Sequence, residues 1–152
     1  MIQRIQSLYM LATTILGIVC LSLPLGYFTT EEGESVSTLF NLWFRNTQTG
    51  VHVFTPWALF ALLLITTTLT FLAIFMFSKR ALQMRLLVMC MILSVGYYGF
   101  LTFLIVSAQK NGLHYTPNVT AAFPFAAIVL DYLAFRAILK DEMLVRSLDR
   151  LR

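Results

Sequence analysis

Residues 121–139 read AAFPFAAIVLDYLAFRAIL, and residues 140–152 read KDEMLVRSLDRLR. The first segment is close to the ~20 apolar residues that cross ~30 Å of hydrocarbon as a helix. The second is densely charged and carries Leu144, Leu148 and Leu151 at i, i+4 and i+7, the spacing of one apolar stripe on a helix. The change from apolar to charged within two or three residues predicts a membrane span followed by a charged C-terminal helix.

Composition points the same way. Of 152 residues, 59% are apolar and 12% charged, about half the ~25% charged fraction of soluble domains. So few charges cannot cover a soluble fold of this size. The net charge of +4 lies beside apolar runs and not on a soluble basic face, which argues against a nucleic-acid partner and for membrane lipids.

Three earlier runs repeat the pattern, giving spans at about 8–28, 57–77, 86–106 and 121–139 of a single integral domain. The run at 8–28 is longer than a signal-peptide core, and no small-x-small cleavage site follows it, so it reads as an uncleaved first span. Pro56 opens the second span and Pro124 sits in the first turn of the fourth, where helices tolerate proline. The short basic turn 78–85 makes spans two and three an antiparallel hairpin. The expected fold class is an all-α membrane protein, a four-transmembrane-helix bundle.

The polar segment 29–55 is rich in β-formers at Val36–Phe44 and Val51–Phe54, around the turn chemistry of Asn46–Gly50. It predicts a small β-hairpin at the membrane surface, with Trp43, Phe44 and Trp57 as interfacial aromatics. Residues 107–118 form a second polar loop. Arg4, Lys79, Arg80, Arg85, Arg136, Lys140, Arg146, Arg150 and Arg152 fall on one side of the membrane, against Arg45 and Lys110 on the other. The positive-inside rule then places both termini, the turn 78–85 and the tail 140–152 in the cytoplasm, and the hairpin in the periplasm.

Groups that could carry chemistry are few. Asp131 is the one acid within an expected span, and an ionisable group at that depth suggests a proton or ion site. Arg136 is near enough along the helix to compensate it in part, which favours a structural carboxylate. Thr66, Thr67, Thr68 and Thr70 are expected to bond back to their own helix at a helix contact, with a substrate track as the sharper alternative. Gly96 and Gly99 would let helices approach closely, and Tyr97 and Tyr98 beside them need hydroxyl partners. Ala122, Ala126, Ala127 and Ala134 offer a small-residue packing face. Cys20 and Cys90 form no CxxC and have no histidine nearby, so no metal site or redox motif is expected. His52 and His114 fall in the outer loops, away from any catalytic partner. No cofactor is expected, and no enzyme.

Three stretches carry a family resemblance: residues 1–9 (MIQRIQSLY), 79–86 (KRALQMRL) and 136–152 (RAILKDEMLVRSLDRLR). Together they resemble an uncharacterised bacterial membrane family, the domain of unknown function forty-two ninety-three, over the whole chain. The resemblance implies four spans and an inner-membrane location, and supplies no activity. It also implies that asparagine is common at position 131, which points away from an essential carboxylate. The three stretches all fall on the side expected to be cytoplasmic. The chain is therefore expected to be a non-catalytic accessory or scaffold subunit. It would dock a protein partner, or lipid, through Arg4, Lys79, Arg80, Gln83, Arg85, Lys140, Arg146, Asp149, Arg150 and Arg152. The alternative is a small transporter or permeation protein using intramembrane Asp131 with Thr66, Thr67 and Thr70.

Overall fold

The computed structural model describes residues 3–30, 35–47, 49–76 and 79–149, without the side chains of residues 3, 4 and 146–149. Four long helices dominate: α1 (Gln3–Ser22), α2 (Trp57–Phe75), α3 (Arg80–Gln109) and α4 (Phe123–Asp149). Each contains a stretch long and apolar enough to cross a membrane, with mean hydropathy from 1.7 to 2.4. The chain is a multi-pass membrane protein. Each helix packs on its neighbour in sequence, and α4 closes the ring against α1.

The buried positions show how the ring is held. On α3 they are Gln83, Leu87, Cys90, Ser94, Tyr97, Leu101 and Leu104, alternating steps of four and three that keep one seam facing inward. On α4 they are Pro124, Ala127, Asp131, Ala134, Ile138 and Asp141, and on α1 Gln6, Met10, Thr13, Thr14, Gly17 and Cys20. These seams are rich in small and polar residues. The outer faces are apolar, as at Ile5, Leu8, Leu11, Ile15 and Ile18 of α1. In lipid the hydrocarbon is as apolar as leucine, so close packing and interhelical hydrogen bonds hold helices together.

The extramembrane part is larger than a hairpin. Strands β1 (Gly26–Thr29), β2 (Ser35–Leu39), β3 (Phe44–Asn46), β4 (His52–Val53) and β5 (His114–Pro117) form one antiparallel sheet ordered β4-β3-β2-β1-β5. The apolar run 8–28 is divided: α1 ends at Ser22, and Gly26–Phe28 belong to the sheet. Pro24 explains the break, because it has no N–H to give and disfavours helical geometry at Leu23. The β-rich stretch 36–44 is also divided, with the chain reversing at residues 40–43 between β2 and β3. The sheet caps the bundle through Leu25, Phe28 and Leu39, which pack on Leu59, Leu63, Tyr97 and Leu101.

At the opposite end the connection between α2 and α3 is shorter than the expected turn 78–85. Arg80 already begins α3, so Ala81–Arg85 are its first turns. The described part of the tail is helical without a break: α4 runs on to Asp149, well past Leu139.

Gly96 and Gly99 do not serve a helix contact, since a side chain at either would meet open space. The close approach occurs instead at Gly17, where an added Cβ would lie 3.0 Å from Thr67 Cγ2. The small-residue face of α4 is used selectively. Ala127 and Ala134 are buried and Ala126 is half-buried, whereas Ala122 precedes the helix and is exposed.

Candidate functional site

Where the sheet is absent, α3 begins and α4 ends side by side. Between them lies a cleft of about 600 Å³, lined by Ala81, Met84, Val88, Phe135, Leu139 and Met143, among others, with Arg85 and Glu142 at its mouth. A second depression shares Arg85 and Glu142 and adds Lys79 and Arg80. Three cations and one carboxylate therefore rim an apolar floor. Lys140 lies apart from this rim, in a neighbouring groove of α4 with Arg136 that shares Leu139 and Met143.

Gln83 is not part of this surface. It is buried, and its amide donates to Ala73 O at 2.9 Å and approaches Met10 Sδ at 3.6 Å. Its place on the inward seam of α3 turns it into the bundle, where it ties the end of α2 to the start of α3. The other expected contact groups fall outside the description: the side chains of Arg4, Arg146 and Asp149, and Arg150 and Arg152 entirely.

The bundle interior holds the other polar group. Asp131 is fully buried on the inward seam of α4, beside Thr13 of α1 and within electrostatic reach of Cys90 of α3. Arg136 does not compensate it. That side chain is exposed, with its guanidinium 6.0 Å from the centre of the Tyr132 ring. Five residues is more than a turn, which puts Arg136 on another face of the helix.

Thr66, Thr67, Thr68 and Thr70 donate to Leu62 O, Leu63 O, Leu64 O and Thr66 O at 2.7–3.0 Å. They are backbone-bonded, as expected, and Thr70 also lies 3.4 Å from Cys90 Sγ. About two turns before the end of α4, Asp141 accepts a hydrogen bond from Gln6 Nε2 at 2.6 Å and is 9% exposed. It is a second buried acid that span boundaries alone assign to the tail.

At the sheet end the tyrosines find partners. Tyr97 donates to Asn41 Oδ1 at 2.8 Å, and Asn41 Nδ2 donates to Cys20 O at 2.6 Å. Tyr98 donates to Ala121 O at 2.7 Å and accepts from the backbone N–H of Phe125 at 2.9 Å. Trp43 meets Phe40, His52 and Phe54 edge-on or tilted, Phe44 packs on Phe28, and Trp57 is exposed. Among the described residues no cluster of three His, Cys, Asp or Glu could hold a metal ion.

Tyr115 of β5 donates to Leu25 O at 3.0 Å, and burial pushes its hydroxyl up to about 12. A tyrosine raised above its ordinary ~10 contributes stability that is fully present below pH ~10 and is lost as pH climbs towards 12. Unfolding midpoints measured across pH 9–12 should fall over that interval. Tyr115→Phe should flatten part of the fall; an identical profile in the variant would show that this hydroxyl is not held by the fold.

A family model described as a domain of unknown function (DUF4293) matches residues 2–151. The chain belongs to the DUF4293 family. No curated protein matches it. The match spans both the basic cleft and the sheet, so neither is an appendage to the DUF4293 domain. Three features of this member escape a reading of the sequence by spans: Asn41, Gly17 and the Gln6–Asp141 bond. The Asp141 signal was present, since 131, 134, 138 and 141 continue one seam. Asn41 and Gly17 carry no such signal, because their partners come from other elements.

Proposed function

We propose that this protein is a non-catalytic accessory or scaffold subunit of the inner membrane that docks a protein partner through its basic end. The cleft between α3 and α4 carries this reading. Its apolar floor suits the side chains of a partner helix, and Lys79, Arg80 and Arg85 at its rim suit an acidic group beside them. The positive-inside rule places this end, and both termini, in the cytoplasm. The basic rim then lies at headgroup depth, where lipid and partner compete for it. The alternative, a small permeation protein using Asp131 and the threonines, has less support. The hydroxyls of Thr66, Thr67 and Thr70 are engaged by their own helix.

The test is a photo-crosslinking residue at position 143, since Met143 is 57% exposed at the cleft. Introduced into cells, it should give one protein adduct of defined mass. That adduct should drop at least tenfold in an Arg80→Glu/Arg85→Glu variant that still inserts into the membrane. Adducts to lipid and to the chain itself alone would overturn the proposal.

A further inference from the structure

Asp131 is 0% exposed near the middle of the apolar stretch Val119–Val145. Neither of its carboxyl oxygens has a hydrogen-bond partner among the described residues. Its polar surroundings are specific about hydrogen-bond direction. Thr13 Oγ1 gives its proton to Tyr9 O at 3.1 Å. The Cys90 thiol gives its own to Thr66 O at 3.7 Å, and Thr70 donates to the same carbonyl at 3.0 Å. Thr13, beside the carboxyl, and Cys90, within electrostatic reach of it, thus have lone pairs to offer and their protons committed elsewhere.

A carboxylate can only accept, whereas a carboxylic acid has one O–H to donate. An ionised Asp131 would therefore stand unpaired in the membrane interior, a costly arrangement. A neutral Asp131 has an O–H that it can turn towards Thr13 or Cys90. Among the described residues nothing charged offsets an ionised form. Thr13 lies beside it on α1 and Cys90 within electrostatic reach on α3, α2 carries no titratable side chain, and Arg136 lies on another face of α4.

We infer that Asp131 is a proton-binding site inside the bundle, loaded in this packing, with Thr13 Oγ1 and the Cys90 sulfur as the acceptors towards which its O–H can turn. The proton leaves when a donor replaces it, either because Thr13 turns from Tyr9 O to the carboxyl or because the seam between α1 and α4 admits water. This site is separate from the docking cleft and stands whether or not that cleft binds a partner.

Infrared spectroscopy on the full chain in phosphatidylethanolamine–phosphatidylglycerol nanodiscs at neutral pH tests it. Wild type minus Asp131→Asn should show one carboxylic-acid C=O stretch per chain, shifted by deuterium exchange. The asparagine amide donates to the same acceptors, so that variant should keep the fold. In Thr13→Val, or in Cys90→Ala, the band should move to higher frequency as its acceptor is removed. A purely packing role for the side chain predicts no such movement. If Asp131→Asn fails to fold, an Asp141→Asn variant carrying carbon-13 at its aspartate carboxyls settles the point, because Asp131 is then the one labelled aspartate besides Asp149 at the end of α4. An isotope-shifted acid band supports the inference. The absence of any aspartic-acid band, or loss of a carboxylate band in Asp131→Asn, overturns it.

Discussion

Asn41→Ala is expected to destabilise the protein by about 2–6 kcal/mol, from two buried polar groups left unpaired at ~1–3 kcal/mol each. Asn41 is 0% exposed and sits in the reversal between β2 and β3. Its amide reaches Cys20 O near the end of α1, and its carbonyl takes the hydroxyl of Tyr97 from α3. One side chain thus fastens the sheet to two helices. Removing it orphans the Tyr97 hydroxyl and a backbone carbonyl together, at a depth where water does not replace either. Tyr97→Phe, which frees only Asn41 Oδ1, should cost about half as much. Unfolding in mixed micelles measures both, and a double-mutant cycle should return a coupling of about 0.5–3 kcal/mol. Values within ~0.5 kcal/mol of wild type for Asn41→Ala would show that the sheet is held to the bundle by apolar packing alone.

The asparagine also marks the limit of what the sequence discloses. The four spans are legible because length and apolar content suffice to identify them, and no partner needs to be known. The sheet is not legible in the same way. The strand that joins β2 to β5, β1, lies inside an apolar run that reads as helix, and β5 lies 85 residues away from its partner, as the Thr29 Oγ1 to His114 O contact shows. Strand pairing at that separation leaves no periodicity within a short window. Pro24 is the available clue to the break, but a proline near the end of a membrane-length run is also compatible with a span that ends at its expected length.

The polar residues divide similarly. That Thr66, Thr67 and Thr70 would bond to their own helix follows from local geometry, whichever neighbour faces them. That Gln83 would turn inward depends on where α3 begins. A start at Leu86 leaves it in a solvated turn, whereas a start at Arg80 puts it on the seam with Leu87 and Cys90. The Lys79, Arg80 and Arg85 cluster was legible as charge, but the cleft beneath it exists only because α4 continues to Asp149 alongside α3.

Gly17→Leu should separate α1 from α2 and cost more than about 3 kcal/mol, or prevent assembly of the bundle. Overpacking a close contact costs ~1–3 kcal/mol even for small additions. A methyl group at Gly17 would already sit 3.0 Å from Thr67 Cγ2 and 3.1 Å from Thr67 Cβ. Thr67 cannot easily yield. It is β-branched, with restricted rotation about χ1, and its hydroxyl is bonded to Leu63 O at 2.8 Å. The smaller change Gly17→Ala should cost about 1–2 kcal/mol after the ~1 kcal/mol gained by replacing glycine in a helix. Gly17→Ala combined with Thr67→Ala should recover most of that loss, because the second change removes the atoms the new methyl meets. Gly96→Ala and Gly99→Ala, which meet open space, should be neutral or stabilising by up to ~1 kcal/mol. Reversible unfolding of the five variants beside wild type decides the matter. If Gly17→Leu assembles with wild-type stability while Gly96→Ala does not, the close contact of the bundle lies on α3, where the sequence alone would have put it.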